Sequence, residues 1–158
     1  MSPEISLALV EQEHHEASKF GEQFSWELSA IDAGSQLFNV RLDSPVDQEP
    51  YWLEFRFGDY PDKPYLIDLF YPPTGERATP RCYPKGPDSF FHPNALICHP
   101  CSRRAYREMA GPHQDWNLAD WRRMAGGMDR LVGILNGIYF RISNVEYYNG
   151  RMASAPGR

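Results

Sequence analysis

Between residues 24 and 71 the chain alternates apolar and polar side chains in four successive runs, and this pattern limits the fold more than any other feature. Phe24, Trp26, Leu28 and Ala30 alternate with Ser25, Glu27 and Ser29. Phe38, Val40 and Leu42 alternate with Asn39 and Arg41. Tyr51, Leu53, Phe55 and Phe57 alternate with Glu54 and Arg56, and Tyr65, Ile67, Leu69 and Tyr71 alternate around Asp68. Successive side chains of a strand point to opposite faces, so a period of two marks a strand with one buried face. The links, 32–36, 44–50 and 58–64, are short and carry turn residues. The pattern predicts a four-stranded antiparallel meander.

Helices are expected on either side. Residues 2–20 read as a helix, with Ser2 as cap, Pro3 at the first helical position and Gly21 as the stop. Ile5, Leu9, Ala17 and Phe20 give it a thin apolar face, which suits a helix lying on a sheet. Residues 118–140 carry the strongest helical pattern. Leu118, Trp121, Met124, Ala125, Met128, Leu131, Val132, Leu135, Ile138 and Tyr139 share one broad face, with Asn117 as cap and Asp120 in the first turn. Gly126, Gly133 and Gly137 interrupt that face. Each interior glycine costs about 1 kcal/mol relative to alanine, and close approach of helix to sheet is the expected compensation. Between these parts, residues 72–115 are rich in proline and glycine and show no sustained period, as in a long functional loop. A short segment, 141–149, follows the second helix. The expected organisation is one two-layer α+β domain over 1–152 and a disordered tail over 153–158.

Composition narrows the function. The formal charge is −5, unlike the basic face of a general nucleic-acid binder. No run approaches the 18 apolar residues of a membrane span, and Met1-Ser2-Pro3-Glu4 lacks the positive start of a signal peptide. A cytoplasmic protein with no nucleic-acid or membrane partner is expected. Three cysteines, Cys82, Cys98 and Cys101, form no even framework of disulfides and all fall in the long loop. In a reducing compartment these read as thiols, so a nucleophile is a natural expectation.

Several short motifs lie on these elements in order. Phe57-Gly58-Asp59-Tyr60-Pro61-Asp62-Lys63-Pro64 resembles the "F-P-x-x-Y-P-x-x-P-P" segment of ubiquitin-conjugating enzymes. His92-Pro93-Asn94 matches their His-Pro-Asn motif, Ile97-Cys98 resembles their Ile-Cys pair, and Trp116-Asn117-Leu118-Ala119 resembles the Trp-Ser-Pro-Ala that opens their next helix. The resemblance covers nearly the whole chain and implies a ubiquitin-conjugating-like two-layer α+β fold: N-terminal helix, four-stranded antiparallel meander, long active-site loop, central helix. In the family the active cysteine follows the motif asparagine by eight residues, whereas Cys98 follows Asn94 by four and Cys101 by seven. The preceding isoleucine favours Cys98 and the spacing favours Cys101; because spacing decides reach to the asparagine, Cys101 is the expected nucleophile and Cys98 the second candidate. Beyond residue 149 the sequence offers no counterpart of the two C-terminal helices of eukaryotic members. The nearer comparison is with compact stand-alone bacterial members, some of which sit in antiphage CBASS operons. There the resemblance implies that the conjugated protein is a cyclic-oligonucleotide synthase (a cGAS/DncV-like nucleotidyltransferase) joined through its C-terminus. A ubiquitin-like protein is the other partner it suggests.

Such a transferase needs a thiolate, an oxyanion stabiliser and access for an amine, and no cofactor or metal. Asn94 is the candidate oxyanion donor, and His92 is expected to hold the loop by hydrogen bonds or, less directly, to act in catalysis. Arg103 and Arg104, beside Cys101, would favour a thiolate if not simply solvated. His113 or Asp115 could receive the amine proton, although plain surface polarity is the favoured reading of both. Three alternatives from other classes remain at this point. One is an inactive binding module of the same fold, in which the cysteines are packing residues. The second is a zinc domain using Cys98 and Cys101 with Cys82, His92 or His113. The third is a thiol–disulfide pair, for which the meander context is wrong.

Overall fold

The first helix begins where its cap residue places it. The Ser2 hydroxyl accepts a hydrogen bond from the Ile5 amide at 3.3 Å, and Pro3 sits in the first turn. A computed structural model describes residues 1–153, and helix α1 runs Pro3–Gly21. Of the expected tail, 154–158 lies outside the described residues, and Ala153 is exposed. The stripe that α1 buries is Ser6, Val10, Glu13, Ala17 and Gly21; of the expected apolar face Ala17 lies in it and Leu9 is partly buried against the core, whereas Ile5 is 57% exposed and Phe20 is also exposed. Two of the buried positions are polar and have interior partners. The Ser6 hydroxyl donates to the Tyr60 carbonyl, and Glu13 accepts several hydrogen bonds. A hydrogen-bonded polar side chain can occupy a buried stripe that an apolar count misses.

The sheet is an antiparallel meander of five strands in chain order: β1 Glu27–Leu28, β2 Leu37–Asp43, β3 Pro50–Arg56, β4 Leu66–Tyr71 and β5 Glu76–Arg77. Register pairs Phe38 with Phe55, Val40 with Leu53 and Leu42 with Tyr51, and then Leu53 with Leu69 and Phe55 with Ile67. All these residues are buried on one face, as the alternation requires. The sheet differs from expectation at both edges. A fifth short strand pairs Arg77 with Phe70, and the run 24–30 gives only two strand residues. Phe24 and Trp26 instead join Phe20 and Tyr139 in an aromatic cluster at the end of α1, with Phe24 and Tyr139 centroids 5.1 Å apart. Ser25, between them, takes a left-handed φ of 60°, which no strand allows.

The expected helix 118–140 is broken. Asn117 does cap its start, Oδ1 accepting from the Ala119 amide at 3.1 Å. A tight turn at Leu118–Asp120 leads into α2, Trp121–Ala125, and after a second tight turn at Gly126–Met128 comes α3, Leu131–Ile142. Gly126 has a φ of +59°, so the glycine that interrupts the pattern also ends α2. Gly133 lets α3 fold back onto this turn, because a Cβ there would lie 2.0 Å from the Gly127 carbonyl oxygen. The close approach is thus between α3 and its own preceding turn, not between helix and sheet. Among the described residues no helix is long and apolar enough to cross a membrane.

Glu13 ties these parts together. Its Oε1 accepts from the Leu131 amide at 2.9 Å, at the start of α3, and from the Tyr65 hydroxyl at 3.3 Å. The Tyr60 hydroxyl lies 2.8 Å from both carboxylate oxygens. Burial pushes the Glu13 carboxyl above its ordinary value, and the Leu131 and Tyr60 hydrogen bonds only partly oppose this. A carboxyl raised on folding stabilises fully below its unfolded value, near ~4.3, and that contribution is lost as pH rises through the raised folded value. Replacing Glu13 by Gln removes this loss. The stability of Glu13→Gln relative to the natural chain, from urea unfolding at a series of pH values, should therefore rise with pH above about 4.3 and then level. At the second junction, Gly133→Ala should destabilise by roughly 1–3 kcal/mol through overpacking, against the sign of helix propensity, as read from thermal or urea unfolding.

Candidate functional site

Part of the long loop is ordered by a small hairpin. Strand β6, Phe91–His92, pairs with β7, Leu96–Ile97, and Pro93, Asn94 and Ala95 form the turn. The Ala95 amide donates to the His92 carbonyl at 2.9 Å, and Ala95 takes a φ of 62°. The His92 ring closes the turn, Nδ1 accepting from the Asn94 amide at 3.0 Å. His92 is thereby engaged in holding the turn. The Asn94 side chain is exposed at its tip.

Cys98 follows β7 directly, and its amide donates to the Phe90 carbonyl at 2.7 Å, extending the hairpin by one pair. The residue is half-buried. Its Sγ lies 2.7 Å from Nε2 of His113. The chain then turns inward: the Cys101 amide donates to His99 Nδ1 at 3.1 Å, and the Ser102 amide to the His99 carbonyl at 2.9 Å. This turn carries Cys101 into the core, where it is 0% exposed and burial pushes its thiol up to about 12. Cys82 is likewise fully buried. The two candidate nucleophiles therefore face different media. The residue favoured by spacing is sealed from solvent, while the one favoured by its preceding isoleucine is accessible.

The charged residues of the loop do structural work. Arg104 makes a bidentate pair with Asp68 on β4, at 2.8 and 3.0 Å, and Arg103 pairs with Glu108 at 2.7 Å. Neither is left as a free cation for a thiolate at Cys101. The Arg103 amide donates to the Tyr65 carbonyl at 3.2 Å, a second tie to the start of the sheet edge. His99 is also excluded as a cation, because burial and Arg141 lower its pKa to about 4.

Among the described residues, no three His, Cys, Asp or Glu side chains gather as a metal site requires. The donors named for zinc are dispersed, with Cys82 and Cys101 in the core, His92 in the turn and Cys98 on His113. His113 is the residue whose place sequence reading missed. It was visible as a histidine near the cysteines, but only the fold brings residue 113 back to residue 98. Trp116, noted for its motif, proves to be the plate on which His113 lies, with ring centroids 3.7 Å apart and planes within 4°. Asp115 is exposed. Compared with family models, with curated proteins and with solved structures, the chain matches none.

The Asp68–Arg104 pair should matter for the loop. Arg104→Ala leaves a carboxylate on a residue only 8% exposed without its partner. A loss of about 2 kcal/mol is expected in urea unfolding, below that of a fully buried pair because Arg104 is partly solvated. Pairing Arg104→Ala with Asp68→Asn should recover part of that loss in a double-mutant cycle.

Proposed function

We propose that the chain is a cysteine-dependent protein-conjugating enzyme with a ubiquitin-conjugating-like fold, and that Cys98 carries the acyl group as a thioester. One observation carries this reading. Cys98 is the cysteine that reaches the surface, and it does so at the end of the hairpin whose turn is His92-Pro93-Asn94, while Cys82 and Cys101 are buried. A thioester carrier needs an accessible sulfur, because both the incoming acyl donor and the attacking amine are parts of other molecules. An N-terminal helix followed by an antiparallel meander, with Tyr60-Pro61 packed under Trp121 through its Nε1 bond to the Pro61 carbonyl, is compatible with the resemblance.

Cys98 forms the thioester with a protein C-terminus and yields it to a lysine or other amine. His92 positions the turn. Asn94 stands in the turn, separated from Cys98 by Ala95 and the two residues of β7 at about 3.3 Å each, whereas the thioester carbonyl is bonded directly to Sγ, so we assign Asn94 to the turn and not to the oxyanion. Cys101 packs the core beneath. The conjugated protein that the motif resemblance favours is a cyclic-oligonucleotide synthase of a bacterial antiviral operon, acting in the cytoplasm, with a ubiquitin-like protein as the other acyl donor of the same chemistry.

The test is co-expression with the operon neighbours, followed by intact-mass analysis without reductant. A covalent adduct is expected that hydroxylamine releases. Cys98→Ala should abolish it, and Cys101→Ala should retain it wherever that variant stays folded. An adduct that survives in Cys98→Ala overturns the assignment.

A further inference from the structure

We propose that His113 is the proton acceptor for Cys98, the two forming a thiolate–imidazolium dyad that loads and unloads the carrier. This rests on the reading of Cys98 as the acyl-bearing residue and assigns the group that makes its sulfur reactive. The Nε2···Sγ separation of 2.7 Å is within proton-transfer reach.

The imidazole is held in place independently of the cysteine. Its face lies flat on Trp116. Its own backbone amide donates to the Ala105 carbonyl at 3.1 Å. Trp116 is met edge-on by Tyr106, whose hydroxyl donates to the Pro100 carbonyl at 2.8 Å. Gly111 lets this return segment close, since a Cβ there would lie 2.1 Å from the Arg104 carbonyl oxygen. A solvated surface histidine needs none of this.

A partner is needed. Half-burial by itself raises the Cys98 thiol above its ordinary value, which would leave the sulfur protonated at neutral pH. The other titratable groups near the pair do not serve. His99 is held neutral and accepts from the Cys101 amide, and the Cys101 thiol is buried. Burial raises the Tyr106 phenol, which already donates to Pro100. Arg104 is fixed on Asp68. Asp115 is exposed two residues along the chain from His113 and is a carboxylate, so it can steady an imidazolium but brings no positive charge to the sulfur.

The chemistry balances as follows. The Cys98 S–H gives its proton to His113 Nε2. The thiolate attacks the carbonyl of an activated C-terminal acyl group bearing a thiolate or adenylate leaving group. The C–S bond to Cys98 forms, the bond to the leaving group breaks, and that group departs with the electron pair. The imidazolium proton is released to it or to water. In the second half, an amine attacks the thioester, His113 takes the proton the amine sheds, and the C–S bond breaks. The departing Cys98 thiolate regains its proton from the imidazolium.

The decisive measurement is the rate of Cys98 alkylation by iodoacetamide across pH 5–10 on the full chain, followed by intact mass, with Cys98→Ala as the blank. The natural chain should show thiolate reactivity extending below pH 7. His113→Gln should move the midpoint up by at least about one unit, a loss of about tenfold at the acid end. A histidine NMR titration provides the readout that needs no change at position 113. In Cys98→Ser, the His113 midpoint should fall, because the thiolate that stabilises the imidazolium is gone. Superimposable pH profiles for the natural chain and a folded His113→Gln overturn the dyad, and so does a His113 midpoint unmoved by Cys98→Ser. The two claims separate cleanly. Depressed midpoints with no adduct in the co-expression experiment sink the transferase and keep the dyad, whereas a Cys98 adduct formed equally in His113→Gln at neutral pH does the reverse.

Discussion

A single buried carboxylate fixes the relative position of three segments distant in sequence. Glu13 on α1 accepts hydrogen bonds from Tyr60 in the turn after β3, from Tyr65 just before β4 and from the Leu131 amide at the start of α3. Removing a carboxylate from water costs several kcal/mol, and here three donors offset part of that cost. Such bonding is directional, whereas apolar packing is not. It defines where α3 may begin and how the Tyr60–Tyr65 stack, with centroids 3.9 Å apart, must sit against α1. Arg130, next to Leu131, pairs with Glu16 one turn further along α1, so the same two helices are tied again at the surface.

The site inherits its position from this knot. The Tyr65 hydroxyl faces Glu13, and its carbonyl accepts from the Arg103 amide. Two residues on from β4's start, Asp68 holds Arg104. The segment 98–116 has little regular structure of its own, only short turns at Arg103–Ala105 and Arg107–Met109. Its backbone groups must still find partners. They do so through Tyr65, Ala105, Tyr106 and His99, and the result is a wrapped loop whose two ends, Cys98 and His113, meet. A loop pinned in this way can hold the imidazole at a fixed separation from a sulfur that the β6–β7 hairpin positions, without a helix or strand beneath the imidazole.

Much of this was legible in the sequence. Alternation gave β2, β3 and β4 with the correct buried face, Ser2 and Asn117 announced their caps, and the meander order followed from short links. What failed did so for identifiable reasons. Periodicity sees polarity and not partnership, so Ser6 and Glu13 were not recognisable as interior residues. It also reads through a helix break: the apolar face continues in phase across Gly126–Met128 because both helices pack on the same core. Trp26 looked like a strand residue and is a lid on Gly21, where a Cβ would meet the indole at 2.5 Å. The candidate site was legible as a set of residue types. The pairing of residues 98 and 113 was not, because it depends on the return of a loop with no repeating signal.

The choice between the two cysteines shows how a residue count becomes a distance. Counting from Asn94 favours Cys101 if the intervening chain is treated as uniform. It is not uniform: Leu96 and Ile97 are extended strand, which advances about 3.3 Å per residue, and His99–Ser102 is a turn that doubles back. The hairpin leaves Cys98 half-buried, and the turn that follows takes Cys101 into the core. Burial then separates the thiols chemically. With no water and no cation to stabilise a thiolate, Cys101 is an apolar packing group. At Cys98 the burial is partial and an imidazole stands 2.7 Å from the sulfur, and the proposed role of this cysteine rests on those two differences from the thiol three residues later.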